Sequence, residues 1–193
     1  MRQTVLLVLS LLVAPSLWGY SVQVNKVPDF ARSFTRLAML PASCPVGVDC
    51  IWIESLVAGK LSERGLKIVA APIVRQVMFD LEMKTVTPEN RNVLAEKLGV
   101  DAFVVTAVDS MATENAGTTG VFIGNIFTAV PSRRSSGSVQ LAIVSADTGK
   151  TLMEATGFGE STARPKRGVI GKTFNQILDR AFPPAFFAAR EKK

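Results

Sequence analysis

The sequence predicts an α/β domain with a mixed sheet of about five to six strands, helices packed against that sheet, and an antiparallel meander in the second half. Three observations predict this class. The chain has 193 residues, 48% of them apolar, which suits one packed core. Short apolar runs alternate with helical stripes in the first half, and strand-like runs separated by polar turns fill the second half. The domain is expected at residues 34–182, between tails at 20–33 and 183–193.

Strands and helices are expected to alternate in the first half. A buried strand is expected within Phe34–Ala42. The helix that follows can be capped by Asp49, and Gly65 supplies its left-handed stop. A short strand at Leu66–Ala71 comes next.

Two more helices and the most strand-like run of the chain complete this half. Pro72 opens one helix, and Thr87-Pro88 starts another that Gly99 closes. The run Val100–Val108 is rich in the β-branched residues that favour strands.

The second half is expected to be a meander followed by one helix. Its turn signals are clusters of Gly, Thr, Ser, Pro and Asp. The expected segments are a tip at Asn115–Gly120, an apolar strand at Val121–Val130, a polar turn at Pro131–Gly137, strands at Ser138–Ser145 and Thr151–Phe158, and a helix from about Val169 to Ala181.

The first nineteen residues resemble a secretory leader. Arg2 gives a positive start, Val5–Val13 is nearly all apolar, and small or helix-breaking residues follow up to Gly19. The apolar run is about half as long as a spanning helix of ~20 residues. We therefore expect a signal peptide at 1–19 that is cleaved, with an uncleaved anchor as the alternative. Because no Cys lies near the cleavage point, a lipoprotein is not expected. The protein is predicted to be periplasmic or secreted, with outer-membrane association left open.

Composition excludes several classes of function. The chain contains no His, so it lacks the side chain that catalytic triads, His-ligated zinc sites and histidine proton shuttles use. It carries 22 Lys+Arg against 16 Asp+Glu, a net charge of +6. No nucleic-acid-binding motif accompanies this charge, so nucleic acid is not an expected partner. We expect no catalytic residues and no bound metal.

Two GKT tripeptides do not form a phosphate-binding loop. That loop requires a Gly well before the GKT, so that backbone amides can surround the phosphate. Lys166 stands at that position before Gly171, and Val144 stands there before Gly149. No cofactor is therefore expected. Arg164, Lys166 and Arg167 precede the last helix, whose positive end can bind an anionic group; a solvated loop is the alternative.

The two cysteines lie close together in CPVGVDC. Export places Cys44 and Cys50 in an oxidising compartment, and their number is even. A structural disulfide is predicted. A redox role and a metal site are the alternatives, but the spacing is not that of thioredoxin-type motifs, and two thiols without His do not complete a zinc site.

One apolar segment and the turn after it form the predicted contact surface. In an extended conformation Val121–Val130 is largely apolar on both faces. It could be a strand buried under a helix, a docking ridge for a partner, or a membrane strand. The arginines of the next turn can meet an acidic partner, lipid headgroups or solvent. The predicted partner or membrane contacts are Phe122, Ile123, Ile126, Phe127, Arg133 and Arg134.

Three phrases resemble one protein family. They are RLAMLP at Arg36–Pro41, LAEKLGVDAFVVTAV at Leu94–Val108 and VQLAIVSADTGKTL at Val139–Leu152. Their wording and order resemble the curli secretion channel (CsgG) family and its periplasmic relatives, such as the lipoprotein activator of penicillin-binding proteins and the amino-terminal domain of the Tol-Pal translocation protein. The resemblance covers roughly residues 34–182.

The resemblance implies a bacterial envelope protein that binds other proteins as an adaptor or assembly factor, and it implies no enzyme. The expected partners are envelope proteins, with a homo-oligomer and membrane-surface contact left open. The chain departs from the channel-forming members because it lacks their lipid-anchoring Cys and its segment Gly157–Gly168 is short. The alternative function is a subunit of an oligomeric export or outer-membrane complex, in which residues 121–145 form a membrane-inserting hairpin.

Overall fold

The computed structural model describes residues 19–30, 33–123, 126–183 and 186, without the side chains of 117–131. Residues 1–18 of the predicted leader lie outside this set. The described strands are β1 (Tyr20–Lys26), β2 (Arg36–Met39), β3 (Lys67–Val69), β4 (Ala102–Ile123), β5 (Ile126–Ser145) and β6 (Thr151–Ser161). The described helices are α1 (Cys50–Glu63), α2 (Ala71–Asp80), α3 (Arg91–Leu98) and α4 (Lys166–Ala181).

The strands form one mixed sheet in the order β1-β6-β5-β4-β2-β3. The first-half strands β3, β2 and β4 pair in parallel, as expected for strands joined by helical crossovers. From β4 onwards, β5, β6 and β1 add antiparallel neighbours. This arrangement confirms the predicted fold class, including the antiparallel second half.

Helices cover both faces of the parallel half of the sheet. Consecutive residues of a strand point to opposite faces, and in β2 Leu37 and Met39 join one core whereas Ala38 joins the other. The first core lies under α1 and α4, and the second lies under α2 and α3. The side of the antiparallel half opposite α4 carries exposed polar residues such as Gln140 and Thr156.

Glycines in β5 and β6 let α4 approach the sheet closely. A Cβ atom at Gly157 would lie 2.5 Å from Thr173 Cγ2, and one at Gly137 would collide with Ile170. Real side chains do not tolerate such contacts. The helix therefore packs directly on the backbone at Gly137 and Gly157, which we call the glycine strip. Ile170, Phe174 and Ile177 of α4 are fully buried there.

Local cap signals predicted helix ends correctly. The Asp49 carboxylate accepts a hydrogen bond of 3.1 Å from the Trp52 amide at the start of α1. Gly99 has φ +61° at the end of α3. The predicted start of α3 at Pro88 was early, because the Asn90 side chain accepts from the Thr87 amide at 2.7 Å and holds residues 88–90 in a turn.

Both expected tails contribute to the fold. Residues 20–26 form β1, which pairs with β6 from Tyr20↔Gly159 to Lys26↔Met153. Its Val22 is buried while the polar neighbours Ser21 and Gln23 are exposed. At the other end, Phe186 is buried in an aromatic cluster and contacts Phe182 with 5.0 Å between ring centroids.

Candidate functional site

A two-stranded arm extends from the sheet. The last pair that joins β6 to β5 is Ser161↔Ser135. Beyond it, within the described part of the chain, residues 114–123 of β4 and 126–134 of β5 pair only with each other. We call these two segments the arm; at about 3.3 Å per residue it is roughly 30 Å long.

The arm corrects the expected path of the chain. Asn115–Gly120 and Pro131–Gly137 were expected to be a tip and a turn, but both belong to long strands. The chain instead reverses between Ile123 and Ile126, which are paired in register. The prediction of a single strand at Val121–Val130 is therefore wrong, because its two halves pair with each other. The sequence signal that could have found the reversal is Gly124-Asn125, a dipeptide typical of two-residue hairpin loops.

Four of the predicted contact residues occupy the distal end of the arm. The register pairs Phe122 with Phe127 and Ile123 with Ile126. Their side chains lie outside the described set, so their role stays a prediction. The backbone path nevertheless places this apolar sequence as far from the sheet as the arm reaches.

The two predicted arginines lie at the base of the arm, with different neighbours. Arg134 forms an ion pair with Glu160 of β6 at 3.2 Å. Arg133 is exposed and lines a cavity of about 340 Å³ together with Thr113 and Ser135. The cavity is completed by Arg164, from the connection between β6 and α4, and by Lys166, the first residue of α4. The fold thus brings together two basic segments that are distant in sequence.

The predicted disulfide is present. Cys44 and Cys50 are bonded, with their Cα atoms 5.9 Å apart, at the junction of β2 and α1. Arg167, at the start of α4, reaches the Asp49 carboxylate at 3.2 Å and lies over the Trp52 ring at 5.3 Å from its centroid. The disulfide loop and the basic segment before α4 are therefore in contact.

An ion pair with a buried carboxylate lies near this junction and was not predicted from the sequence. The Glu54 side chain is only 4% exposed, and it pairs with Arg75 at 2.7 Å. It also accepts a hydrogen bond of 3.0 Å from the Ala42 amide. These bonds tie α1 to α2 and to the end of β2, so we assign the pair a structural role.

Tyr20 is a second buried polar group that sequence reasoning left in a tail. Its hydroxyl is buried without a hydrogen-bond partner among the described residues. Burial raises the pKa of this hydroxyl, and the nearby Arg164 lowers it by a smaller amount. Lys172 lies 4.5 Å from the centroid of the ring. Tyr20 therefore packs neutral against the start of α4.

Two acids near β4, Asp101 just before the strand and Asp109 within it, accept hydrogen bonds from different partners. Asp101 accepts hydrogen bonds from the amides of Thr35 and Arg36 at 2.7 and 3.0 Å. Asp109 accepts from the Gln140 side chain at 3.1 Å. Within the described residues no cluster of His, Cys, Asp or Glu could hold a metal ion, and no described helix is long and apolar enough to span a membrane.

Comparison with known proteins identifies the fold. No family profile matches the chain, and no curated protein matches it. Among solved structures, a dodecamer of a PelC single-residue variant from Paraburkholderia phytofirmans is 12% identical, with a TM-score of 0.57 over 85% of this chain and 99% of that chain. A second PelC dodecamer is 16% identical, with a TM-score of 0.55 over 83% and 96%.

A lipoprotein shares the fold as well. GNA1162 from Neisseria meningitidis is 17% identical, with a TM-score of 0.52 over 76% of this chain and 97% of that chain. At such identities the likeness concerns the fold. This chain therefore shares its architecture with PelC and with lipoprotein GNA1162.

Proposed function

We propose that this protein is an exported, non-catalytic envelope protein that works by binding other proteins through its arm. The observation that carries the proposal is the pairing of β4 with β5 far beyond the last residue of β6. A lone two-stranded hairpin is marginally stable in water, and exposed strand edges pair readily with other chains. A partner that packs on the arm would supply the missing contacts.

Copies of the same chain are among the proposed partners. PelC, which has this fold, forms a dodecamer, so the architecture is compatible with self-assembly. In a homo-oligomer the arm would be one of the contact patches between subunits. The three sequence phrases support a more specific proposal, membership of the superfamily that includes the curli secretion channel.

The absence of catalysis and the place of action are also proposals. The chain has no His, and Asp101 and Asp109 accept structural hydrogen bonds on separate parts of the sheet. We propose that the leader is cleaved after Gly19. The first strand begins at Tyr20, so cleavage there would leave β1 complete and release the folded domain into the periplasm.

Shortening the arm tests the proposal. Asn115 and Arg133 are paired in register, so an Asn-Gly turn can replace residues 116–132 while Arg133, Arg134 and the rest of the sheet are retained. The shortened protein is expected to keep its melting temperature and to lose crosslinked complexes in the native envelope and self-association in solution. The matched control is Phe79→Ser, which removes a 79% exposed phenylalanine on α2 and should keep every complex. Unchanged complexes in the shortened protein would refute the proposal.

A second candidate function, insertion of the arm tip into a membrane, is favoured by the position of the arginines. Arg133 and Arg134 follow the apolar tip sequence at the base of the arm, where they would meet headgroups. Only the arm part of the predicted hairpin at 121–145 could insert, because Val139, Leu141 and Ile143 are buried in the core. A high-pH carbonate wash of the envelope separates the candidates: release supports protein binding, and retention that depends on the arm supports insertion.

A further inference from the structure

The cavity at the base of the arm collects positive charge from two distant parts of the sequence. Arg133 comes from β5, whereas Arg164 and Lys166 flank Pro165 at the start of α4. The pairing of Ser135 with Ser161 brings the two segments together. All three basic side chains belong to exposed residues, so a ligand can reach them from solvent.

The charge of this cavity is not balanced by neighbouring acids. Among the described side chains, no carboxylate lies within 4.0 Å of Arg133, Arg164 or Lys166. Of the nearby acids, Glu160 pairs with Arg134 and Asp49 pairs with Arg167, and Glu114 lies opposite Arg134, not Arg133, in the strand register. Repulsion between three uncompensated cations favours the binding of an anion.

The remaining polar groups around the cavity can also donate hydrogen bonds to an anion. On the strand side the hydroxyls of Thr113 and Ser135 are hydrogen-bonded to each other at 3.4 Å, which leaves one hydroxyl proton of the pair for a ligand. On the other side α4 begins after Pro165, with no side-chain cap and no acidic residue in its first turn. Its free amides and positive dipole end therefore add to the three side chains.

We propose that this cavity binds a phosphate-bearing anion. Guanidinium groups recognise phosphate oxygens with paired hydrogen bonds, and a lysine adds a point charge. A volume of about 340 Å³ accommodates a phosphate with a small substituent. The phosphate can belong to a lipid headgroup or to a small soluble molecule. The site does not depend on the proposed arm partner, because Arg133 lies at the base of the arm and the other lining residues lie outside it.

The test compares the wild-type protein with two triple variants, a site variant and a control variant of equal charge. Arg133→Gln, Arg164→Gln and Lys166→Gln remove the site. Lys67→Gln, Lys84→Gln and Lys97→Gln remove the same charge from exposed positions on β3, before α3 and on α3, respectively. Because all six residues are exposed, both variants are expected to keep the wild-type melting temperature, which is measured first.

Two binding assays distinguish the sources of the phosphate. One is flotation with vesicles of phosphatidylglycerol in phosphatidylcholine, against phosphatidylcholine alone; the other is calorimetric titration with inorganic phosphate and glycerol phosphate. Each basic side chain beside an anionic surface contributes roughly a fivefold gain in affinity, so the site variant should bind about a hundredfold more weakly. The control variant should stay within a few-fold of wild type.

Either source of binding supports the proposal. Binding to the vesicles alone assigns the site to a lipid headgroup, and binding to phosphate or glycerol phosphate assigns it to a soluble molecule. The proposal is overturned if the wild-type protein binds none of these probes, or if both triple variants weaken binding equally, since net charge alone would then explain it. Failure here leaves complex formation through the arm intact, so the two proposals fail separately.

Discussion

At the scale of single residues, glycines, which have no side chain, determine how closely α4 packs on the sheet. Gly137 and Gly157 lie where α4 crosses the sheet, and a methyl group at either position would meet a residue of α4. Neither glycine has a positive φ, so close approach, and not backbone conformation, explains them. The sequence contains no local sign of this, because the crossing joins residues far apart in the chain.

We predict that Gly157→Val lowers the free energy of unfolding by about 1–3 kcal/mol, because the added atoms push α4 away from β6. Urea denaturation monitored by circular dichroism measures the change. Gly171→Ala is the control: its new methyl group would lie 3.8 Å from Leu56, an ordinary contact, and alanine favours a helix by roughly 0.5–1 kcal/mol. Equal stability of Gly157→Val and wild type would contradict the packing described for α4.

At the scale of elements, the helices were easier to predict than the strands. A helix cap such as Asp49 or Gly99 is a local device, so its residue type and position are visible in the sequence. Strand pairing is not local. The turn signals in Asn115–Gly120 and Pro131–Gly137 outweighed the signal at Gly124-Asn125, although pairing of β4 with β5 makes both stretches parts of long strands.

The disulfide was predictable from spacing and compartment, and it offers a test at this scale. Changing both Cys44 and Cys50 to Ser should lower the free energy of unfolding by about 2 kcal/mol, since the bond closes a short loop. Urea denaturation checks this value, and wild-type protein under reducing agent is the control that should match the variant. We expect the variant to form the same envelope complexes as wild type. Loss of those complexes by a folded variant would instead point to a redox role for the thiols.

At the scale of the whole molecule, α4 links the features that the sequence presents separately. It lies on the glycine strip of β5 and β6, begins at the phosphate cavity, and reaches the disulfide loop through Arg167. The order of strands and helices predicted the α/β class because that order limits the possible topologies. The cavity could not be predicted, because Arg133 and Arg164 meet only after β5 pairs with β6.

The last prediction concerns β1, the first strand in the chain, which forms one edge of the sheet next to β6. Val22 is buried, and the Lys26 ammonium donates hydrogen bonds to the carbonyls of Arg180 and Ala181 at 3.2 and 3.1 Å. A chain that starts at Val27 should lose at least about 2 kcal/mol of stability from Val22 alone. It should also aggregate, since removal of β1 leaves the edge of β6 unpaired.

Urea denaturation and light scattering measure the two effects of removing β1. The control keeps the strand and changes only its exposed face, with Ser21→Lys and Gln23→Lys, and it should remain stable and monodisperse because these residues point to solvent. If the chain starting at Val27 unfolds at the wild-type urea concentration without aggregation, β1 contributes nothing to the sheet. If it fails as expected, cleavage after Gly19 is compatible with the fold, whereas cleavage deeper in the chain would remove part of β1.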